Sequence, residues 1–300
     1  MPLKQKILII GKNGFFGRSL KYKLSNHTIK LIGRKNDLNK IDLKNFDFII
    51  NCAADIYNER EMFKSNTFLV YKLLENYINQ KSKAKIIHFG STGEYGNSKI
   101  SPSENSLLRP NSVYTGTKAA ATMLLQSFSN EFKIPCLILR TFTVYGPYEN
   151  QSRLIPFIFR SLILKKKLDI YYGYQDYFYI DDLCNIINKI INKWNIKSYG
   201  EILNLGSGKV YKNSEILKIC EKITKLKSKV RFIKKFSESN HNKYYNYDQK
   251  PPRIRFKKYL NFKNITNIEE GIKNYWVKIN QDYELKKHTM TYKKKFFVKW

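Results

Sequence analysis

The sequence predicts an α/β protein, a doubly wound parallel sheet followed by a smaller C-terminal α/β domain. Three observations carry the prediction. Apolar runs of strand length alternate with longer stretches at helical spacing from the first residues onward. A glycine-rich turn, Gly11-Lys-Asn-Gly14-Phe-Phe-Gly17, follows the first run directly and opens a helix. The 300 residues, 42% of them hydrophobic, supply enough apolar material for a sizeable core.

The elements follow in order. Lys6–Ile10 is a short apolar run ending in glycine, and Ser19–Leu24 then has helical spacing. Thr28–Ile32 and Phe48–Cys52 are the next strands. Phe68–Ile78 is a helix by Leu69, Leu73, Leu74 and Tyr77. Lys85–Phe89 is a strand. Tyr114–Phe132 is a long helix with Ala119, Met123, Leu124 and Phe128 on one face, followed by the strand Cys136–Leu139. Strand, helix, strand in this order implies right-handed βαβ units, with a ligand crevice at the carboxyl ends of the strands. The pattern loosens after about residue 165. Residues 1–165 are read as the first domain, with a stretch near 171–195 returning to it, and 166–280 as mainly a second domain. Asp181–Trp194 and a helix capped by Ser214, Ser214–Leu226, fall in this part. Phe232–Gln249 reads as irregular and Ile268–Val277 as a closing helix. The tail 281–300 mixes lysines with Phe296, Phe297 and Trp300 and reads as a frayed or loosely docked end.

Charge is the unusual quantity. Lys and Arg number 55 against 24 Asp and Glu, a formal +31, and ten of the 55 are arginines. The lysines are spread along the chain together with abundant Asn, Ile, Tyr and Phe. That spread favours a compositional origin over a nucleic-acid footprint, in which basic residues cluster. A nucleic-acid-binding protein on the same fold is nonetheless the rival reading from another class. Cys52, Cys136, Cys184 and Cys220 form no CxxC or Cys/His cluster, so no metal site is expected, and their usage fits a reducing cytoplasm. No apolar run reaches membrane-spanning length, and no signal-peptide core is evident.

The glycine turn fits a dinucleotide. Gly11 permits the tight turn, Gly14 admits a pyrophosphate, and Gly17 lets helix and strand pack closely, as in Rossmann-like sheets. Asn13, Phe15 and Phe16 belong to the same turn, and the helix N-terminus offers free N–H groups to phosphate. The second strand ends in Gly33-Arg34-Lys35 with no acid before Asp37. Cations there suit a 2′-phosphate and favour NADP over NAD, which stays open. Asp42 and Leu43 are placed at the adenine edge, and Ala53 and Ala54 at the end of the third strand complete the cofactor set.

Tyr114 and Lys118 stand at i and i+4 on one helix face. An ammonium beside a phenol lowers its pKa from about 10 and prepares it for proton transfer at a carbonyl or alcohol. Ser91, at the end of the strand Lys85–Phe89, is placed to hydrogen-bond the same oxygen. With Gly11–Gly17, Asn51-Cys-Ala-Ala54, Asn66, Ser91–Gly96, Tyr114–Lys118, Arg140–Pro147, Tyr177–Asp182 and Asn204-Leu-Gly206, the chain resembles the extended short-chain dehydrogenases/reductases of the nucleotide-sugar epimerase/dehydratase family. The resemblance implies a Ser91, Tyr114, Lys118 catalytic triad, with Tyr114 and Lys118 also touching the cofactor. It further implies a C-terminal domain gripping a nucleoside diphosphate, and a homodimer through two packed helices.

Departures from the family pattern narrow the chemistry. The acids of the 4,6-dehydratases are replaced by Thr92 and Gly93, and Glu94 comes one residue late. Thr143 and Gln175 stand where the family usually has Asn and Arg, so Arg153, Arg253 and Arg255 become candidates for the phosphates, with Thr92 and Thr143 toward the sugar. The resemblance is greatest to 4-keto-6-deoxy-sugar reductases of surface-polysaccharide biosynthesis. A nucleotide-sugar 4-epimerase is the alternative.

Overall fold

A computed structural model describes residues 3–96, 101–195, 199–233, 262 and 265–291. Six parallel strands form the main sheet, in the order β2-β1-β3-β4-β5-β9. They are β1 (Lys6–Ile10), β2 (Thr28–Ile32), β3 (Phe48–Asn51), β4 (Lys85–Ser91), β5 (Cys136–Thr141) and β9 (Glu201–Leu205). Strands buried on both faces read as unbroken apolar runs, which is why KILII and FIIN are recognisable. Alternation still sorts the side chains. Ile7, Ile9, Phe48 and Ile50 enter one core and Leu8, Ile10 and Ile49 the other.

Helices cover both cores. On one face lie α1 (Phe15–Lys23), with Leu20, and α6 (Ile180–Asn192), with Leu183, Ile187 and Ile190. On the other lie α3 (Leu69–Asn79), with Leu73 and Leu74, and α4 (Val113–Phe132), with Ala121 and Leu125. A four-residue helix, α2 (Glu59–Met62), runs through a π-helical segment Phe63–Phe68 into α3. The chain order places β2 and β3 on opposite sides of β1, so the two crossovers diverge and leave a crevice at the strand ends.

Smaller sheets stand beyond those ends. β6 (Thr143–Tyr145) pairs parallel with β8 (Tyr174–Tyr179), and β8 pairs antiparallel with β10 (Val210–Lys212). β7 (Leu168–Tyr171) pairs with β11 (Val230–Ile233). Between them run α5 (Leu154–Ile163) and α7 (Asn213–Thr224), and the described chain closes with α8 (Ile268–Gln281) and α9 (Tyr283–Met290).

Several local expectations change. Ser214 does not cap α7: the helix begins one residue earlier, and Glu215 accepts the Lys212 N–H at 2.7 Å. The strand β9 returns to the main sheet after α6, a return longer than the 171–195 stretch expected. Phe232 and Ile233 lie in β11, while the rest of the stretch read as irregular, 234–249, is outside the described residues. The tail is not frayed up to residue 291. Leu285 and Thr289 bury one face of α9, because an amphipathic turn has the core beside α5 to pack on. Residues 292–300 lie outside the described part.

Candidate active site

The glycine turn is built by close approach. Gly11 has φ +105°, and a Cβ there would lie 2.9 Å from the Ala53 nitrogen. A Cβ on Gly17 would lie 2.4 Å from the Gly11 carbonyl oxygen. These two glycines shape the turn from beneath. Asn13, Gly14, Phe15 and Phe16 line the cavity above it, with the N-terminus of α1 facing in.

That cavity, about 1450 Å³, runs from the glycine turn across the ends of β3 and β4 to the start of α5. Ala53, Ala54, Ser91, Thr92, Tyr114, Lys118, Thr143, Arg153 and Arg34 all reach it. Lys35 is exposed and outside its wall. Asp42 and Leu43 are also away from it: Leu43 is buried in the core, and Asp42 caps a 3-10 turn by accepting the Lys44 N–H at 3.1 Å. Two adjacent turns replace the extended segment that would have carried them to the ligand. Arg253 and Arg255 lie outside the described residues.

The floor of the cavity is a braced corner. Ser91 ends β4 and caps the turn Thr92–Tyr95: its hydroxyl accepts the Gly93 N–H at 3.1 Å, and its N–H donates to Glu94 Oε1 at 2.7 Å. The Ser91 hydroxyl proton stays available to an oxygen above. Glu94 points away from the cavity, as its late position suggested. Fully buried, it accepts from Arg140 Nε at 2.8 Å. Arg140 also donates to the Tyr95 hydroxyl at 2.9 Å, and that hydroxyl donates to Asn204 Oδ1 at 2.8 Å. A Cβ on Gly93 would come 2.5 Å from Thr115 Cγ2, so the first turn of α4 occupies the space a side chain would need.

Lys118 is 3% exposed and donates to the Phe89 carbonyl at 2.5 Å. Burial pulls its pKa down to about 8, against the opposing charge of Glu94. His88, a buried neighbour with Nε2 at 3.5 Å, is held neutral by the same burial and by the Lys118 charge. It meets Asn51 Nδ2 at 3.1 Å and is a buried core residue. Tyr114 is half-buried in the cavity wall one turn before Lys118. The π segment holds this turn in place. Asn66 donates to Thr117 Oγ1 at 3.0 Å and accepts the Asp55 N–H at 2.7 Å, tying α4 to the loop after β3.

Asp55, Tyr57, Glu149 and α9 are wall components that sequence reasoning missed. Burial raises the Asp55 carboxyl, but the Asn58 and Tyr57 N–H groups and the Arg34 guanidinium at 2.5 Å outweigh it and hold the pKa low. Glu149, 3% exposed, is pushed up to about 8 by burial, against the charge of Arg153 and a Gly146 N–H at 3.3 Å. Glu149 sits two residues after the Gly146-Pro147 turn, the one local signal that marked it. Among the described residues no helix is long and apolar enough to cross a membrane, and no His, Cys, Asp and Glu group is arranged to hold a metal.

Comparison with known proteins places this geometry. The model of the NAD dependent epimerase/dehydratase family matches residues 7–206. A Dictyostelium discoideum protein named dTDP-D-glucose 4,6-dehydratase is 29% identical over 201 residues, 60% of this chain and 45% of that protein, so the chain spans under half its length. The structure of a UDP-glucuronic acid 4-epimerase from Bacillus cereus with NAD superposes with TM-score 0.79 at 22% identity, over 93% of this chain and 97% of that one. The RMD protein of Pseudomonas aeruginosa with NADPH superposes with TM-score 0.76 at 17% identity, over 90% and 97%. A family match spanning the glycine turn, the Tyr114–Lys118 turn of α4 and the last sheet strand carries one conclusion: the chain belongs to the NAD dependent epimerase/dehydratase family.

Proposed function

We propose that the protein is a nucleotide-sugar oxidoreductase, an NADPH-dependent reductase of a nucleoside-diphosphate 4-keto-6-deoxyhexose. One observation carries the reading: Ser91, Tyr114 and Lys118 all line a single cavity that begins at the glycine turn. Thr92 and Gly93 provide no carboxylic acid for dehydration, and Thr115 fills the space at Gly93. The glycine turn and the Arg34 side chain at the cavity mouth fit a dinucleotide with a 2′-phosphate.

A bound nicotinamide would supply the hydride. The chain's own residues do the rest. The first turn of α1 takes phosphate on its free N–H groups. Ser91 donates its hydroxyl proton to the substrate oxygen, and Tyr114 gives that oxygen the proton it needs as the alcohol forms. Lys118, buried below, holds a ribose hydroxyl and favours phenolate when Tyr114 has given up its proton. Arg153 and Thr143 orient the sugar nucleotide, and Phe15 and Phe16 exclude water from the cofactor side.

Oxidation of NADPH measured across CDP-, GDP-, dTDP- and UDP-linked 4-keto-6-deoxy sugars, beside NADH, tests the reading. Tyr114→Phe is expected to lower turnover about 10²- to 10⁴-fold with cofactor binding retained. Near-wild-type turnover in that variant removes Tyr114 from the mechanism. A second reading, the NAD-retaining 4-epimerase, is favoured by the ion pair of Arg34 with Asp55, which occupies the guanidinium without a 2′-phosphate. Interconversion of 4-epimers with no net consumption of cofactor selects it. Binding of polynucleotide at physiological salt, without turnover of any nucleotide sugar, selects the nucleic-acid reading instead.

The same proposal includes a homodimer in the cytoplasm. Phe68 at the end of the π segment, Tyr71 on α3, and Met123 and Phe132 on α4 expose apolar surface suited to pair with a second copy. Sedimentation of the Met123→Lys variant as a monomer, against a wild-type dimer, is the expected result.

A further inference from the structure

We propose that helix α9 is a wall of the ligand cavity and that Lys287 on it is a binding residue for the diphosphate of a nucleotide. The proposal rests on the nucleotide-sugar reading above and adds a contact that this reading leaves unassigned. Helix α9 lies beyond the residues matched by the family model.

The helix is fixed in place. The Tyr148 hydroxyl donates to Asp282 Oδ2 at 2.8 Å, and Asp282 Oδ1 accepts the Leu285 N–H at 3.0 Å, capping α9. Gln151 Nε2 donates to the His288 carbonyl at 2.9 Å. His288 Nε2 lies 3.0 Å from the Glu149 carbonyl oxygen, which only accepts, so Nε2 carries the proton and Nδ1 accepts from Gln151 at 3.2 Å. Buried Leu285 and Thr289 lock the opposite face. This anchoring sets Lys287 in the cavity wall while its neighbour Lys286 is exposed outside it.

Charge identifies the ligand group. Among the described residues the cavity is lined by seven Lys or Arg against three Asp or Glu. Arg18 and Lys21 come from α1, Arg153 from the start of α5, and Lys287 from α9. Arg18 lies 5.8 Å over the Tyr148 ring, on the same loop that anchors α9. Cations delivered by three separate segments to one cavity suit a multiple anion, and an ammonium on a flexible stem is a point-charge phosphate binder. Both the sugar nucleotide and the dinucleotide contain a diphosphate, so the experiment separates them.

Binding of UDP, dTDP, CDP and GDP, and of NADPH and NADH, is measured calorimetrically for the wild type, Lys287→Gln and Lys286→Gln. Uridine and thymidine serve as phosphate-free probes. Lys287→Gln is expected to weaken diphosphate binding about 5- to 10-fold, less at high salt, with Lys286→Gln within about twofold of wild type. A loss confined to the nucleoside diphosphates assigns Lys287 to the sugar nucleotide. A loss confined to the dinucleotides assigns it to the cofactor. Equal binding by the two variants overturns the proposal, and with wild-type turnover and its loss in Tyr114→Phe still observed the functional reading survives it. A wild type that binds none of these ligands overturns both.

Discussion

Two buried carboxyl groups flank the cavity and have opposite surroundings. Glu94, under the floor, meets the Arg140 guanidinium and the Ser91 N–H within 2.8 Å. Glu149, at the start of the substrate side, has a longer 3.3 Å contact to the Gly146 N–H and lies among buried tyrosines. The floor is a satisfied network that holds one geometry; the loop keeps a carboxyl that burial drives toward its neutral form. The hydrogen-bonded network fixes the corner that ends in Ser91. A group able to change protonation near neutrality lines the cavity instead.

Breaking the floor has the largest expected effect. Arg140→Met leaves Glu94 buried without its cation and is expected to cost about 3–5 kcal/mol in denaturant unfolding. A cost below about 1 kcal/mol means that the network does not hold the corner. Glu149→Gln acts in the opposite direction. The folded pKa of Glu149 is raised from 4.5 to about 8, so the native carboxyl keeps its proton while the unfolded one loses it. The wild type therefore loses stability relative to the Gln variant as pH rises from about 4.5 to 8. The variant is expected to gain up to about 4 kcal/mol at pH 8 and almost nothing at pH 4. An equal gain at both pH values rejects the titration of Glu149 as its source.

Gly93→Ala sharpens the contrast further. The added Cβ meets Thr115 Cγ2, and Thr115 is pinned by its hydrogen bonds to Ser112 and Asn111, so the expected cost is about 1–3 kcal/mol. Thr115→Ser removes that methyl group, and the double variant is expected to recover most of the loss. Additive costs would place the strain elsewhere. The smallest effect is on pH dependence. Lys118 carries its charge below about pH 8 and loses it above, so kcat/KM, which reports the free enzyme, is expected to fall above that pH. A flat profile to pH 10 rejects a role for the Lys118 charge.

The site was unequally legible for the same reason. Gly11 to Gly17, Ser91, Tyr114 and Lys118 could be read because each depends on local spacing: a turn, a strand end, one helix face. The positions of Asp42 and Leu43 relative to the cavity could not, because two consecutive capped turns follow β2 and fold Leu43 into the core. The α9 wall was also hidden. Its sequence is a lysine-rich tail like many others in this chain, and its role depends on Tyr148 and Gln151, more than 130 residues earlier in sequence.

The sequence by itself determined the alternation of strands and helices, the glycine turn and the Tyr114–Lys118 helix face, since each follows from periodicity within a few turns of chain. Tertiary structure alone decided which carboxyl is paired, what fills the space above Gly93 and which lysine of α9 lines the cavity. These outcomes depend on atoms brought together from distant segments, where burial and distance, and not residue type, set the energy of a charge.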